Sequence, residues 1–489
     1  MILYPAPKKP APKKPDPIAR LLAQPAFTSL PVRVVPYCQT LPLGVLVRGT
    51  LEWLVDGVAL EHLFQDKAPE QYTRQLTISA LVGLLIQVSA GTRASVFAAY
   101  KADQASTAPT ITTSYQAVYG KLGRTNTAAS EALVRFSAGK LEPVLQALPT
   151  AATPLLPGYR LRILDGNVLA GTDHRLQPLR KWLNACLPGK SLVVYEPELG
   201  LVTDLVLCED AYTQERALVN NILPRVQAND VWVADRNFCT SRFVFGIQAQ
   251  KAFFVVRQHG KNLPCQPVSK LTKQGQSETG VVYEQQVSVT DPVTGEVVLL
   301  RRIELRLFAK TRNGDRTLVI LTNLPATITA VQIAEIYRQR WTIEKHFHFL
   351  TESLHCEVPG LGKPRAALLM FAMALVAGNA LAVVRATLRK AHGAEVESEL
   401  SGYYLADEIA FDYRTLQKCL PADQWEGWRS LKAKDLVRLL TTVAGQVNVA
   451  GLTRTTRGPK KPPAQKPIYD KKHKHRSTAR LLEEAKKSC

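Results

Sequence analysis

Hydrophobic residues recur every three or four positions through residues 45–150, as in LEWLVDGVALEHLF and SEALVRFSAGKLEPVLQAL. This spacing places apolar side chains on one face of a helix, so the region is predicted to be helical. Within it, TTSYQAVYGKLGRT fits two interpretations, a helix that reads DNA or an ordinary packed helix, and the pattern favours neither.

The pattern changes between residues 158 and 257, where short apolar segments alternate with helical ones. YRLRILD, SLVVYEPELGLVTDLVL, DVWVAD and AFFVVRQ are predicted strands, and AYTQERALVNNIL and TSRFVFGIQAQK are predicted helices. DVWVA is apolar on both faces, which is typical of a central strand of a covered sheet. The region is therefore predicted to have an α/β fold.

Residues 258–326 form a predicted β-rich block, in which strand-like segments are separated by the turn sequences TDPVTG and RNGD. Residues 328–450 are predicted to be helical. Their most apolar segment, Ala366–Val384, is about as long as a membrane span. It contains Asn379 and many alanines, so a buried core helix is favoured over a membrane helix, and no membrane partner is expected.

The charge of the chain favours a polyanionic partner. Lys and Arg number 62 against 41 Asp and Glu, a formal net charge of +21 concentrated in the two ends of the chain. Nucleic acid would bind such a surface in a salt-dependent way, although solubility alone would also explain the surplus. The eight cysteines are scattered without a CxxC pair, which fits a reducing compartment such as the cytoplasm.

The segment EIYRQRWTIEKHFHFL, residues 335–350, is predicted to be one amphipathic helix. On a helical wheel Tyr337, Arg340, Glu344, His348 and Thr351 share a polar stripe. The adjoining apolar stripe contains Ile336, Ile343, Phe347, Leu350 and Leu354. The polar stripe is either a solvated helix face or one wall of a site.

Two aspartates stand at the predicted ends of strands. Asp165 ends YRLRILD and is followed by GN, and Asp235 ends DVWVAD and is followed by RN. Open α/β sheets build sites at the carboxyl ends of strands, although an aspartate there also commonly caps a turn. With Glu344 they form an all-oxygen set that suits Mg²⁺ or Mn²⁺.

Other candidate ligands are less favoured by the sequence. Other carboxylates in the core region are Asp173, Asp204, Asp210 and Asp230. A zinc site would draw on His346, His348, His355 and Cys356. Zinc is not favoured because His346 lies on a different side of the predicted helix from His348 and His355.

Three motifs occur in order: ILDGN, VWVADRNF and YRQRWTIEKHF. Together they resemble the DDE-type transposases of bacterial insertion sequences, in the subgroup with a Tyr-Arg-Glu-Lys signature. The resemblance covers about residues 158–385. It implies an RNase H-like mixed sheet with flanking helices, interrupted by a β-rich insertion between Asp235 and Glu344.

The resemblance implies a role for each motif residue. Asp165, Asp235 and Glu344 would be the catalytic and metal-binding triad and would hold two Mg²⁺ ions, replaceable by Mn²⁺. Tyr337 and Arg340 would contact phosphates of the DNA, and Arg236 and His348 are further candidate DNA contacts.

The sequence departs from the signature at Thr351, where the family has lysine. We hypothesise that His348, or a lysine from elsewhere in the chain, supplies the missing positive charge. Related enzymes hold a flipped base on an aromatic side chain of the insertion, for which Tyr283 and Phe308 are candidates in this sequence.

The resemblance further implies cut-and-paste transposition, in which double-stranded DNA at the element's terminal inverted repeats is cut and joined to target DNA. A homodimer on DNA and a bacterial, nucleoid-associated location are expected. Two other functions remain open: a metal-dependent DNA nuclease, and a non-catalytic DNA-binding descendant of a transposase.

These predictions divide the chain into seven segments. They are a basic Pro/Lys-rich tail and linker (1–44), a helical candidate DNA-binding domain (45–150), the first part of the catalytic core (158–257), the β-rich insertion (258–326), the second part of the core (328–385), a helical C-terminal region (386–453) and a basic tail (454–489).

Overall fold

The computed structural model describes residues 17–24, 27, 31–68, 75–106, 108–149, 154–181, 183–311, 314–454 and 487. The predictions for the two basic tails therefore fall almost wholly outside the described residues. The chain divides into two units, Met1–Thr453 and Arg454–Cys489, and every helix and strand given below belongs to the first.

A mixed β-sheet runs through the described structure. Its strands are β1 (Arg160–Val168), β2 (Lys190–Glu196), β3 (Leu201–Cys208), β4 (Asp230–Ala234), β5 (Phe253–Arg257), β6 (Gln266–Pro267), β7 (Thr272–Gln276), β8 (Gly280–Thr290), β9 (Val297–Leu307) and β10 (Thr317–Thr322). Their order is β3-β2-β1-β4-β5-β10-β9-β8-β6, with β7 also paired to β8. Strands β1, β4 and β5 are parallel to one another, and the other pairs are antiparallel.

The mixed sheet with flanking helices confirms the predicted fold class. The β-rich segment is not a separate block, because β10 pairs with β5 and continues the core sheet through β9 and β8. The charged residues of β9 alternate with buried Ile303 and Leu305, which is typical of a half-exposed strand.

Helices precede, flank and follow the sheet. Those before it are α1 (Pro17–Leu22), α2 (Tyr37–Thr40), α3 (Pro42–Leu54), α4 (Gly57–Lys67), α5 (Ile78–Ser89), α6 (Val96–Gln104), α7 (Tyr115–Leu122) and α8 (Thr127–Gln146). Those after its first strand are α9 (Ser241–Ala249), α10 (Ala330–Arg338), α11 (Trp341–Ser353), α12 (Pro364–His392), α13 (Glu395–Glu399), α14 (Gly402–Cys419), α15 (Glu426–Arg429) and α16 (Ala433–Ala444).

The N-terminal helices share a hydrophobic core with one face of the sheet. This core also includes Ile18, Phe27 and Cys38, which lie in the segment predicted to be a tail and linker. Their burial ties part of that segment to the helices that follow it.

Each strand contributes alternate residues to two hydrophobic layers. Val231 and Val233 of β4 belong to the layer that contains α8 and α12, whereas Trp232 and Ala234 belong to the layer that contains α9. Successive side chains of a strand point to opposite faces, so a sheet covered on both sides needs apolar residues at every position. This explains why DVWVA is continuously apolar.

Helix α12 contains the apolar segment Ala366–Val384, for which the sequence left a core helix and a membrane helix as alternatives. It is long and apolar enough to cross a membrane, but 94% of its most apolar window is buried inside the protein. Asn379 at its centre is fully buried and bonds the backbone N–H and C=O of Val202 at 2.8 and 2.9 Å. Its amide therefore satisfies the outer edge of β3, and the prediction of a core helix is confirmed.

Two local predictions were wrong. The strand that carries Asp165 continues to Val168, because Gly166–Val168 keep pairing with β2. The segment AYTQERALVNNIL, predicted to be an α-helix, forms 3-10 helices at Glu215–Asn221 and Leu223–Arg225. Pro224 follows this segment and lies in the second 3-10 helix, where it lacks the N–H that a continuing α-helix would use.

Candidate active site at the ends of two parallel strands

Asp165 and Asp235 are brought together by the pairing of β1 with β4. Leu164 lies opposite Ala234 in the parallel register, so the two aspartates follow adjacent paired positions. Each carboxylate accepts a hydrogen bond from a nearby backbone N–H: Asp165 Oδ1 from Gly166 at 3.0 Å, and Asp235 Oδ1 from Asn237 at 2.7 Å. A backbone N–H thus orients each of the two carboxylates.

The predicted single helix over residues 335–350 is two helices, α10 and α11. Between them, the N–H of Gln339 bonds Ile336, that of Arg340 bonds Tyr337, and that of Thr342 bonds Gln339, all three residues apart. Bonds of this kind form a tight 3-10 turn, which interrupts the α-helical periodicity. The wheel therefore placed Tyr337 wrongly relative to α11: its side chain is buried, whereas Glu344 and His348 are exposed.

Arg340 joins two of the three predicted triad residues. Its Nη1 donates to Asp165 Oδ2 at 3.2 Å, and its Nη2 lies 2.7 Å from Glu344 Oε1. Its guanidinium also lies over the ring of Trp341, 4.6 Å from the centroid. The arginine is thus the counter-ion of the carboxylate pair in the absence of any bound group.

The electrostatics confirm that the carboxylates are close enough to interact. The pKa of Asp165 is raised to about 7: burial is the largest cause and the charges of Asp235 and Glu344 add to it, while Arg340 and the Gly166 N–H act in the opposite direction. Burial also raises the pKa of Tyr337 to about 12, so this phenol stays protonated at neutral pH.

A cavity of about 820 Å³ opens beside these groups. It is lined by five of the predicted site residues, namely Asp235, Arg236, Tyr337, Arg340 and Glu344. Asp165 contacts the cavity wall through Arg340. His348 is not part of the lining, and the hydroxyl of Thr351 donates to the carbonyl of Phe347 at 3.1 Å.

The cavity also has aromatic walls. Phe308 lines it and is 59% exposed, and Trp341 lines it and is 51% exposed. Tyr283, the other candidate for base stacking, lies under the guanidinium of Arg306 at 4.1 Å. The candidates for base stacking were limited to aromatic residues of the insertion. Trp341, which immediately follows Arg340 in the third motif, was therefore missed.

The donor set fits a hard divalent cation in chemistry, since Asp165, Asp235 and Glu344 offer only carboxylate oxygens. As they stand, no three His, Cys, Asp or Glu side chains in the described ranges are grouped closely enough to hold a metal ion. Arg340 lies between Asp165 and Glu344, which separates that pair. The alternative ligand His346 is half-buried and stacks on Tyr195, with ring centroids 4.9 Å apart.

Comparison with known families agrees with this arrangement. Residues 156–377 match the protein family described as Transposase DDE domain. The chain carries a transposase DDE domain. This confirms the predicted family of DDE-type transposases and a role in DNA transposition; the Tyr-Arg-Glu-Lys subgroup remains a prediction.

Two further comparisons assign no residue roles to this transposase. No curated protein sequence matches the chain. Among solved structures, a piggyBac transposase synaptic complex with hairpin DNA is similar over 91% of this chain and 87% of that chain, with 11% sequence identity and a TM-score of 0.35. That degree of similarity transfers no residue of the complex to this chain.

Proposed function

We propose that this transposase cuts DNA at the ends of an insertion sequence and transfers the freed strand to target DNA, with Asp165, Asp235 and Glu344 as its catalytic triad. The observation that supports this most is that Arg340 joins Asp165 to Glu344 beside the cavity that Asp235 and Glu344 line. A bound Mg²⁺ pair would activate the attacking oxygen and stabilise the leaving one.

Arg340 has two roles in this proposal. In the DNA-free chain it neutralises Asp165 and Glu344. When DNA enters, a phosphate competes for the same guanidinium, whose planar fork binds phosphate oxygens through two N–H groups. Movement of Arg340 from the carboxylates to a phosphate would free the carboxylates for the metal, so DNA and metal would bind cooperatively.

Tyr337 and Arg236 would help to hold the DNA. With a pKa of about 12, the Tyr337 hydroxyl is a hydrogen-bond donor to phosphate and not a base. Arg236 follows Asp235 and lines both the main cavity and an adjoining groove. His348 is exposed on α11 and is proposed to supply the charge that Thr351 lacks.

We also propose that two copies act together on DNA, each bound to one element end, in the bacterial cytoplasm where that DNA lies. Paired transposon ends need two active sites, which a dimer provides. The described cysteines are free thiols, which suits the same reducing compartment.

The test is cleavage of a duplex that carries the inverted repeat found beside the gene. With Mg²⁺ or Mn²⁺, the purified chain should nick that end and join it to a target plasmid, and Asp235→Ala should abolish both products. A scrambled end is the matched control. Cutting of both duplexes without joining would identify a nuclease, and binding without any metal-dependent cutting would identify a non-catalytic DNA-binding protein.

A further inference from the structure

A fourth carboxylate lies behind the two aspartates. Glu215 begins the 3-10 helix Glu215–Asn221, whose Val219 packs in the α9 layer of the sheet. Asp165 lies on the opposite face, because its neighbours Leu164 and Gly166 alternate with it along β1 and Leu164 belongs to the α9 layer. Glu215 does not line the cavity.

Glu215 contacts the residues that follow each aspartate. The Asn237 side-chain amide donates to Glu215 Oε2 at 2.8 Å. At Gly166 an added Cβ would lie 2.2 Å from the Glu215 carboxyl carbon and 2.3 Å from Oε1. Only glycine allows this close approach, and the requirement is for space, since Gly166 does not have a positive φ.

The same two residues hold the aspartates. The backbone N–H of Gly166 bonds Asp165, and that of Asn237 bonds Asp235. The GN and RN sequences that follow the two aspartates thus each present one contact to a catalytic carboxylate and one to Glu215. The Glu215 side chain therefore contacts the residues that hold both aspartates.

We propose that Glu215 is a positioning residue that fixes the separation and orientation of the Asp165 and Asp235 carboxylates. Like charges at adjacent strand ends repel each other, so the DNA-free site needs a fixed support to keep them at the distance that a shared metal ion requires. The inference rests on the proposed metal-binding role of the two aspartates. Outer partners of this kind typically change metal affinity by about 10- to 100-fold when removed.

The test measures Mn²⁺ affinity of the DNA-free chain by electron paramagnetic resonance, alongside thermal unfolding. Glu215→Ala should weaken Mn²⁺ binding by about tenfold, whereas Glu215→Gln, which can still accept from Asn237, should stay within about threefold of wild type. The matched control is Glu209→Gln, which neutralises an exposed carboxylate paired with Arg365 at 2.7 Å. Control and wild type should bind Mn²⁺ equally.

A double-variant comparison tests the contact itself. Gly166→Ala should weaken Mn²⁺ binding because its Cβ would displace the Glu215 carboxylate, and Gly166→Ala combined with Glu215→Ala should be no weaker than Glu215→Ala alone. Multiplying losses would overturn the inference. So would a Glu215→Ala variant that unfolds more easily but keeps its Mn²⁺ affinity, or a Glu215→Gln variant as weak as Glu215→Ala.

Mn²⁺ binding by Asp235→Asn distinguishes a failure of this inference from a failure of the proposed function. If Asp235→Asn abolishes specific Mn²⁺ binding and Glu215→Ala leaves it intact, only the role of Glu215 fails. If Asp235→Asn also leaves it intact, the proposed metal site itself fails.

Discussion

Replacement of Arg340 by glutamine should make the DNA-free transposase bind a divalent cation more tightly. In the wild-type chain a cation that binds Asp165 and Glu344 must first displace the Arg340 guanidinium, whose nitrogens lie 3.2 and 2.7 Å from their oxygens. Glutamine keeps much of the side-chain length but removes this internal positive charge.

The size of the effect follows from the burial of the two pairs. Arg340 and Asp165 are largely buried, and a hydrogen bond to a charged partner in such a setting contributes about 1.5–3 kcal/mol. The Glu344 side chain is 43% exposed, so its pair adds about 0.5 kcal/mol at most. We expect Arg340→Gln to strengthen Mn²⁺ binding by about 2 kcal/mol, which is roughly 30-fold in Kd.

The assay is Mn²⁺ titration without DNA at pH 8, followed by electron paramagnetic resonance. This pH matters because loss of Arg340 raises the pKa of Asp165 above about 7, so at lower pH a proton would compete with the ion. Arg338→Gln is the matched control: Arg338 lines the same cavity but pairs with Glu278 and Glu335. Unchanged or weaker Mn²⁺ binding in Arg340→Gln would refute the reasoning, as would an equal gain in Arg338→Gln.

The same variant should lose the cooperativity between ligands. Adding end DNA should tighten Mn²⁺ binding by the wild-type chain, because a phosphate takes Arg340 from the carboxylates. In Arg340→Gln the DNA should bind more weakly and leave the Mn²⁺ affinity almost unchanged. Similar DNA-induced gains in both proteins would show that Arg340 does not couple the two ligands.

Three further outcomes are expected. The raised pKa of Asp165 means that its carboxyl stabilises the metal-free fold while protonated and that this stability is lost as the pH rises from about 4 towards 7; Asp165→Asn should therefore raise the melting temperature more at pH 8 than at pH 5, and an equal shift at both would exclude this cause. His348→Ala should weaken end-DNA binding more than His346→Ala does, once each is corrected for its folded fraction, because His348 is exposed and His346 is half-buried and stacked on Tyr195; equal losses would remove His348 from the DNA contacts. Asn379→Leu should lower the free energy of unfolding in urea by about 2–4 kcal/mol, because it leaves the backbone N–H and C=O of Val202 without a hydrogen-bond partner. A decrease below about 0.5 kcal/mol would contradict the role assigned to this amide.

The periodicity of the sequence was enough to predict the sheet and most of its strands. The strand DVWVA was recognisable because a sheet covered on both faces demands apolar residues throughout. The apolar α12 was correctly assigned to the core because Asn379 needs protein partners, which Val202 and Ser137 provide. These features depend on local composition, which the sequence displays directly.

Features that depend on distant partners were not predictable in the same way. No proline or glycine in the sequence marks the break between α10 and α11. The break changes which face of the helix Tyr337 occupies. The pairing of β10 with β5 joins strands separated by the whole insertion, which periodicity does not encode. Glu215 was missed because its importance comes from contacts with Gly166 and Asn237, although the GN and RN sequences after the aspartates were visible signals.

Helix α12 has a consequence for how the protein is made. It packs against α3, α5, α8, α16 and β3, yet it follows the entire sheet in the chain. During translation the apolar surfaces of α3, α5, α8 and β3 that it covers leave the ribosome long before it does. A product cut short before Pro364 would keep those surfaces exposed, and such chains aggregate or are degraded. Only ribosomes that complete this late helix would yield a folded protein, so termination between Glu344 and Pro364 should leave an unfolded product even though all three acidic motif residues have already been synthesised.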